Sequence, residues 1–369
     1  MHLSRRGLLS GSAGVAAVSL AGCSAGEDSV QLSGFTGIAM PATDSDRWVI
    51  EGEVMEQLLK DKGYQTVLEY AENNADDQIA QIQSMVDQGA EFLIIGAVDN
   101  TSLGQVLLQA KNQGVYIIAY DRLILETPDV DYYASFDNNQ VGVLQAEHII
   151  KKLDLENQDG PFNIELFSGS LTDSNSEYFF QGGLDTLERY IYEDKIRILS
   201  GQTEQDVTAT KDWNGVVAMD RMTELLETYY EDDPLHAVLS PYDGISRGIV
   251  AALKEGGYNP GADDFPIVTG QDAEARSVRA IKEGNGQTQT VFKDTRDLAD
   301  IAVSMVEAIV AGRTPEVNDL GTYENGFKHV PAYLLEPVNV DASNYVEILI
   351  DSEYLTAEEI DNAEEDLEF

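Results

Sequence analysis

From Phe35 onward the chain alternates short runs of β-branched and aromatic residues with longer stretches whose apolar residues recur every three or four positions. A parallel sheet imposes that rhythm, because each strand must be followed by a crossover, usually a helix, before its parallel neighbour can be laid down. The expected strands are FTGIAM at 35–40, QTVLEY at 65–70, EFLIIG at 91–96, VYIIAY at 115–120 and YYASF at 132–136. A second series comprises FNIELF at 162–167, KIRILS at 195–200, HAVLS at 236–240, FPIVTG at 265–270 and TQTVF at 288–292. The helix expected over 46–62 carries Trp48, Val54, Met55, Leu58 and Leu59 on one stripe and stops at Gly63, and Gly89, Gly114 and Gly256 end other helices in the same way. The pattern weakens over 137–161 and then re-forms, which favours an α/β protein of two doubly wound sheets over a single closed barrel. The acidic stretch after Tyr354 reads as solvated or frayed, with a short helix as the alternative.

The N-terminus reads as an address rather than as part of the fold. Arg5 and Arg6 precede the small, apolar run GSAGVAAVSLAG, which is too short to span a bilayer. It ends in LAGC, so residues 1–22 are expected to be a signal peptide and Cys23 to carry lipid after cleavage. The paired arginines imply export in a folded state. Residues 23–34 follow as an acidic, Gly/Ser-containing tether. Cys23 is the single cysteine, so no disulfide forms within the chain.

Lys and Arg number 23 against 66 Asp and Glu, a formal charge of −43. Loss of residues 1–22 removes two arginines and no acid, leaving 21 basic residues and −45. Nucleic-acid binding is excluded, since phosphate contact needs clustered cations. The acid is spread along the chain beside an ordinary apolar fraction of 43%. Solvation in concentrated salt accounts for that spread better than an acidic binding face. In this respect the chain resembles haloarchaeal proteins, and it is expected outside the cell membrane, tethered by lipid.

In open parallel sheets ligands bind beyond the carboxyl ends of the strands. The residues found there are Arg47 and Trp48, Asp99 and Asn100, then Asp121 and Arg122 in the first series. The second series supplies Asp173 and Asn175, Trp213, Tyr242 and Asp243, Gln271 and Asp272, and Lys293. Acids, amides and guanidinium groups offer paired donors and acceptors to adjacent hydroxyls, and tryptophans cover C–H faces, which together suit a pyranose. Each residue also has a structural reading. Asp99, Asp243 and Asp272 precede helices and would serve as N-caps, Asp121 with Arg122 would form an ion pair, and Trp48 lies on a helix stripe. Recurrence at strand after strand is what favours a binding cleft.

Enzymatic readings find less support. GISRG at 244–248 matches a nucleophile-elbow pattern, but Ser246 falls inside the helix after HAVLS rather than on the turn before it. His148, His236 and His329 lack metal-ligand spacing, no Gly-rich phosphate loop follows a strand, and LENQDG at 155–160 would put Leu155 at the first ligand position of a calcium loop. No metal and no cofactor is therefore expected.

At these positions the sequence resembles the periplasmic sugar-binding proteins of the xylose-binding and multiple-monosaccharide-binding group, within the ribose-binding-protein superfamily. The resemblance rests on MPATDSDRW, VLEYAENNADDQIAQI, AYDRLI, VDYYASFDNNQVGVLQA, VLSPYDG, VTGQDAE, VFKDTRDLA and NGFKHVPAYLLEPV, and spans about 34–349. It implies the periplasmic binding protein type I fold, a two-lobe clamp joined by a three-crossing hinge. The first lobe would be 35–137 plus 293–322, the second 138–292 plus 323–350 with its returning strand near Tyr333 to Val338, and 351–369 an acidic tail. By resemblance Arg47, Asp121 and Arg122 would bind hydroxyls from the first lobe, with Trp48 stacking on a sugar face and Asp99 a lesser contact. Asp173, Asn175 and Asp272 would bind hydroxyls from the second, Trp213 would cover the opposite face and Lys293 would reach in at the hinge. Tyr242 and Asp243 are secondary candidates. Phe180 and Tyr242 depart from relatives with arginine and asparagine there, which leaves the sugar open among the xylose, glucose and galactose classes. The implied function is that of a monomeric, lipid-anchored receptor delivering a monosaccharide to an ABC transporter permease. A chemotaxis or signalling receptor is the alternative, and a glycoside-processing enzyme the remotest.

Overall fold

The structure is a computed structural model that describes residues 34–43 and 46–363. The signal peptide, the lipid-bearing Cys23, residues 24–33 of the tether and 364–369 of the tail lie outside the described residues. In chain order the first elements are β1 (Phe35–Met40), α1 (Asp46–Asp61), β2 (Thr66–Tyr70), α2 (Ala75–Asp87), β3 (Ala90–Ile95), α3 (Gly104–Asn112), β4 (Tyr116–Tyr120) and β5 (Tyr132–Phe136). Then come α4 (Asn138–Lys152), β6 (Phe162–Leu166), α5 (Asn175–Tyr192), β7 (Ile196–Arg197), α6 (Gln205–Thr208), α7 (Gly215–Tyr229), β8 (Ala237–Leu239), α8 (Asp243–Glu255), β9 (Ile267–Val268), α9 (Ala275–Glu283) and β10 (Gln289–Phe292). The chain closes with α10 (Thr295–Val310), β11 (Ala332–Leu335), β12 (Val338–Asp341) and α11 (Ala357–Asn362).

Two sheets result. The first has the order β11-β5-β4-β3-β1-β2 and is parallel throughout. Its central strands are apolar on both faces, as burial between two helical layers requires. One face packs Ile82, Leu93, Leu107 and Ile117, and the other packs Ile94 of β3 against Met55 and Leu59 of α1 and Leu298 and Val306 of α10. The second sheet runs β7-β6-β8-β9, also parallel. A bridge from Gln271 to Val291 carries it on to β10, which pairs antiparallel with β12. Its faces are filled by α7 and α8 on one side and by α4 and α5 on the other. Each sheet with its helices is one lobe. Gly63, Gly89 and Gly114 take left-handed φ of 87°, 94° and 84° just past α1, α2 and α3, as their positions predict. At the end of α8 it is Gly257, at φ 95°, that does so, while Gly256 stays near helical φ at −72°.

Three expectations need correction. The segment near Tyr333, expected in the second lobe, pairs in parallel with β5 in the first sheet. Tyr323 is buried in the same core, and Asn325 bonds to the carbonyls of Ile124 and Thr127. The crossing comes later, at Glu336–Pro337, where proline has no N–H to continue the ladder beside β5. The chain thus crosses between lobes after β5, after β10 and after β11. Second, the strand expected over 195–200 stops at Arg197, and the N–H and hydroxyl of Ser200 turn to the Glu165 carboxylate. Third, the residues after Tyr354 are not frayed as far as 363. Thr356 and Glu359 form a capping box at α11, and Ile360 is fully buried beside Val278 and Leu349.

Candidate functional site

Between the lobes lies a cavity of about 580 Å³. Its walls come from loops after the strands, from the first turns of α1 and α5 and from the 3₁₀ turn before α7, and Arg47, Trp48, Asp99, Asp121, Arg122, Asp173, Asn175, Trp213, Tyr242, Asp272 and Lys293 all line it. Five of the lining residues, Asn73, Asp121, Asp212, Trp213 and Asp272, hold left-handed backbone, with φ of 57°, 60°, 56°, 58° and 90°. Such conformations cost side-chain-bearing residues on the order of 1 kcal/mol each, and they persist where the surroundings over-determine them, as they do at binding sites.

The electrostatic centre is Arg47, at the start of α1. Its guanidinium pairs with Asp121 and with Glu51 one turn on, and stands 3.9 Å from Asp272 across the cleft. Burial alone would lower its pKa, but these three carboxylates raise it well above the ordinary value. Asp121 shows the reverse balance: burial works against its charge, yet Arg47, then Lys293 and Arg122, hold it below the usual carboxylate range. Glu51 is pushed up to about 7, first by burial and then by Asp121, against the pull of Arg47. Lys293, at the crossing after β10, lies 3.1 Å from Asp272.

Trp48 is both core and wall, 7% exposed and packed with Ile38 and Phe136, with the Arg47 and Arg122 guanidinium groups 4.5 and 5.2 Å from its ring centroid. Trp213 stands in a short 3₁₀ turn (Lys211–Trp213), edge-on to Tyr242 at 6.0 Å and to Phe179 at 6.2 Å. The Tyr242 hydroxyl donates to Glu274 at 2.5 Å, which fixes that ring. Several polar atoms retain hydrogen-bonding capacity. Trp213 Nε1, Arg122 Nε, Asp272 Oδ1 and Gln271 Oε1 are buried with no hydrogen bond. Arg122 Nε and Asp272 Oδ1 do face ionic partners, Asp173 Oδ2 at 3.0 Å and Lys293 Nζ at 3.1 Å, without hydrogen-bond alignment. Buried polar atoms left unpaired are costly, so this set suits a ligand rich in hydroxyls.

Other expected residues are placed differently. Asp243 does not reach the cleft and does not cap α8, whose N-cap is Tyr242 with no side-chain bond; fully buried, its carboxylate accepts the Glu274 N–H and the Gln287 amide instead. Asp99 lines the cavity while its Oδ1 accepts the backbone and hydroxyl of Thr101. Asn175 is fully engaged with protein groups, and Asp173 is divided between the Asn175 N–H and Arg122. Ser246 Oγ is buried against Tyr242 O, Thr269 O and Ser240 Oγ, which leaves no exposed nucleophile there. Sequence reasoning missed Glu51, although its i,i+4 spacing from Arg47 was available, and it missed Phe179, whose ring shares the wall with Trp213.

Comparison with known proteins places this cleft in context. Residues 36–314 match the periplasmic binding protein domain family. A multiple sugar-binding periplasmic protein of Azospirillum brasilense is 51% identical over 320 residues, 87% of this chain and 89% of the other. A multiple sugar-binding periplasmic receptor of Rhizobium radiobacter is 47% identical over 327 residues, 89% of this chain and 92% of the other. Among solved structures, an ABC transporter solute-binding protein from Clostridium phytofermentans with bound β-D-glucose superposes with a TM-score of 0.84 at 42% identity, covering 88% of this chain and 99% of that one.

Proposed function

The chain belongs to the family of periplasmic binding proteins, and from that membership we propose that it is the extracytoplasmic, monosaccharide-binding component of an ABC sugar importer. It captures its ligand without transforming it. The observation that carries this reading is the interlobe cavity itself, where two tryptophans and paired charges from both lobes surround polar atoms with unspent hydrogen-bonding capacity. A pyranose presents adjacent hydroxyls to such pairs and C–H faces to such rings. Its contacts to both lobes favour the closed clamp, which the transporter permease then recognises. Arg47, Asp121, Arg122, Asp272 and Lys293 take hydroxyls, Trp48 and Trp213 take the ring faces, and Asp99 and Tyr242 border the ligand. The glucose-bound relative favours an aldohexose such as glucose or galactose over a pentose.

Titration calorimetry with D-glucose, D-galactose, D-xylose and L-arabinose tests this reading. The wild type should bind at least one sugar in the micromolar range or tighter. Asp272→Ala and Trp213→Ala should each lose tenfold or more, since a buried hydroxyl deprived of a charged partner costs about 1.5–3 kcal/mol. Failure to bind any of the four more tightly than about 100 μM would sink the assignment. Retention of wild-type affinity by both variants would place the ligand elsewhere.

The same proposal extends to the chain's ends and its surroundings. The protein leaves the cell folded by the twin-arginine route, carries lipid on Cys23, acts as a monomer and works in concentrated salt, as the sequence SRRGLLS…LAGC and the charge of −43 suggest. Cys23→Ser should move the protein from the membrane fraction to the medium with sugar affinity intact. A variant that still sediments with membranes would rule out the lipid as the anchor.

A further inference from the structure

Glu51 stands behind Arg47, in the interior of the first lobe. It lies one turn further along α1, is 1% exposed, and does not belong to the cavity lining. Two carboxylates hold one edge of the Arg47 guanidinium: Glu51 Oε1 accepts from Nε, and Asp121 Oδ2 accepts from Nη2. The Trp48 ring covers a face of the group, its centroid 4.5 Å from the guanidinium carbon. Nη1 is left on the open side, 3.9 Å from Asp272 across the cleft and beyond hydrogen-bond reach. Among the described residues, Arg47 is the one cation within ion-pair distance of Glu51. The other oxygen of the acid, Oε2, is buried without a hydrogen bond.

We propose that Glu51 is a positioning residue for sugar binding, which stays out of reach of the ligand and holds the Arg47 guanidinium from behind so that Nη1 is presented to the cleft. The inference rests on the receptor reading above and adds a residue to it. A buried ion pair contributes little net stability, because desolvation of both charges offsets their attraction. What such a pair does fix is direction. A free arginine surrenders the rotational freedom of a long side chain when a ligand immobilises it. With Nε and Nη2 already held, that loss is taken on folding, and the planar fork meets the sugar pre-set. Asp121 alone does not achieve this, because one contact at Nη2 leaves the guanidinium free to swing about it. The second contact, at Nε and from a different backbone element, fixes the plane. Asp121 and Asp272 line the cavity and can touch a ligand themselves, whereas Glu51 acts only through Arg47.

That restriction is what an experiment can read. Glu51→Leu removes the acceptor for Nε while filling the buried space, and Glu51→Gln keeps an acceptor oxygen but loses the charge. Each is titrated calorimetrically with glucose, galactose, xylose and arabinose, in the otherwise wild-type chain and in an Arg47→Met background. Glu51→Leu should weaken the sugars that wild type binds by about three- to tenfold, as when one long side chain is left to be immobilised on binding. Glu51→Gln should weaken them by about two- to threefold, since a charge-assisted bond becomes a neutral one. In the Arg47→Met background neither substitution should add more than about twofold, because the residue they act through is gone.

Nitrogen-15 NMR of the sugar-free protein at mildly acidic pH gives a second reading. The Nε–H signal of Arg47 is identified as the one lost in Arg47→Met. It should move, and exchange faster with water, in Glu51→Leu, and should move less in Glu51→Gln. The proposal is overturned if both Glu51 variants bind sugar as tightly as wild type, if their losses persist undiminished without Arg47, or if the Arg47 signal is the same in all three proteins. A wild type that binds none of the four sugars would refute the receptor reading instead, and the NMR comparison would still decide whether Glu51 holds Arg47.

Discussion

At the scale of single residues, the site is governed by a shortage of positive charge. Glu51, Asp121 and Asp272 gather around Arg47, and one guanidinium cannot neutralise three carboxylates in a buried setting. Asp121 is compensated by Lys293 and Arg122 as well, whereas Glu51 is the most deeply buried and is pushed from 4.5 to about 7. For an acid raised on folding, the folded state holds its proton more tightly than the unfolded one. The resulting stability is fully present below about 4.5 and is lost as pH rises through about 7. His148 has the opposite slope, because burial lowers its pKa from 6.5 to about 4 and stability is lost as pH falls through that window. The wild-type melting curve therefore mixes two opposed trends, and Glu51→Gln separates them. The melting temperature of Glu51→Gln minus that of wild type should become more positive between pH 5 and pH 8, followed by calorimetry at constant salt. A difference that stays flat or falls with pH would contradict the buried, proton-holding Glu51.

At the scale of elements, what was legible was whatever local pattern dictates, and what escaped was decided by partners distant in sequence. The strands after Phe35, and helix α1 with its stripe and stop, follow from periodicity and a glycine. The choice of sheet for β11 does not, because AYLL pairs equally well with any open parallel edge. It is the docking of Tyr323 and Asn325 on the first lobe that delivers it to β5. Likewise, nothing in LTAEEIDNA marks Ile360 as a core residue until Val278 and Leu349 are seen to enclose it. Within the site, the residue types after each strand were readable, but their division of labour was not. Asp173, Asp243 and Asp272 are chemically alike, and only the folded chain shows that Asp243 is buried against Gln287 while Asp173 and Asp272 line the cavity beside Arg122 and Lys293. The close approach of helices was equally hidden: a Cβ on Gly142 would lie 2.0 Å from Phe179 O, and one on Gly248 would lie 2.0 Å from Gly215 O. Those contacts bring α4 onto α5 and α7 onto α8, and so hold the second-lobe wall of the cleft in place.

At the scale of the whole molecule, the acidic excess opposes the lobe closure proposed above. With 23 basic residues against 66 acidic ones, most surface carboxylates have no cationic neighbour, and bringing the lobes together crowds them further. Ion pairs such as Lys62–Glu307 and Lys282–Asp361 relieve this locally, but exposed pairs contribute little and are too few. Mobile ions must do the rest. The screening length falls from about 10 Å at 0.1 M to about 3 Å at 1 M, so repulsion between neighbouring carboxylates fades over that range. Raising potassium chloride from about 0.1 to 2 M should therefore raise the melting temperature and also tighten sugar binding, since the closed form is the more compact and the more charge-dense. The two effects should saturate together once the screening length is shorter than the spacing between carboxylates. Sulfate provides the control, because it strengthens apolar burial in any protein whatever its charge. A melting temperature that responds to sulfate and stays constant in potassium chloride would show that the acidity has no part in stability, and with it the proposed high-salt setting would fall.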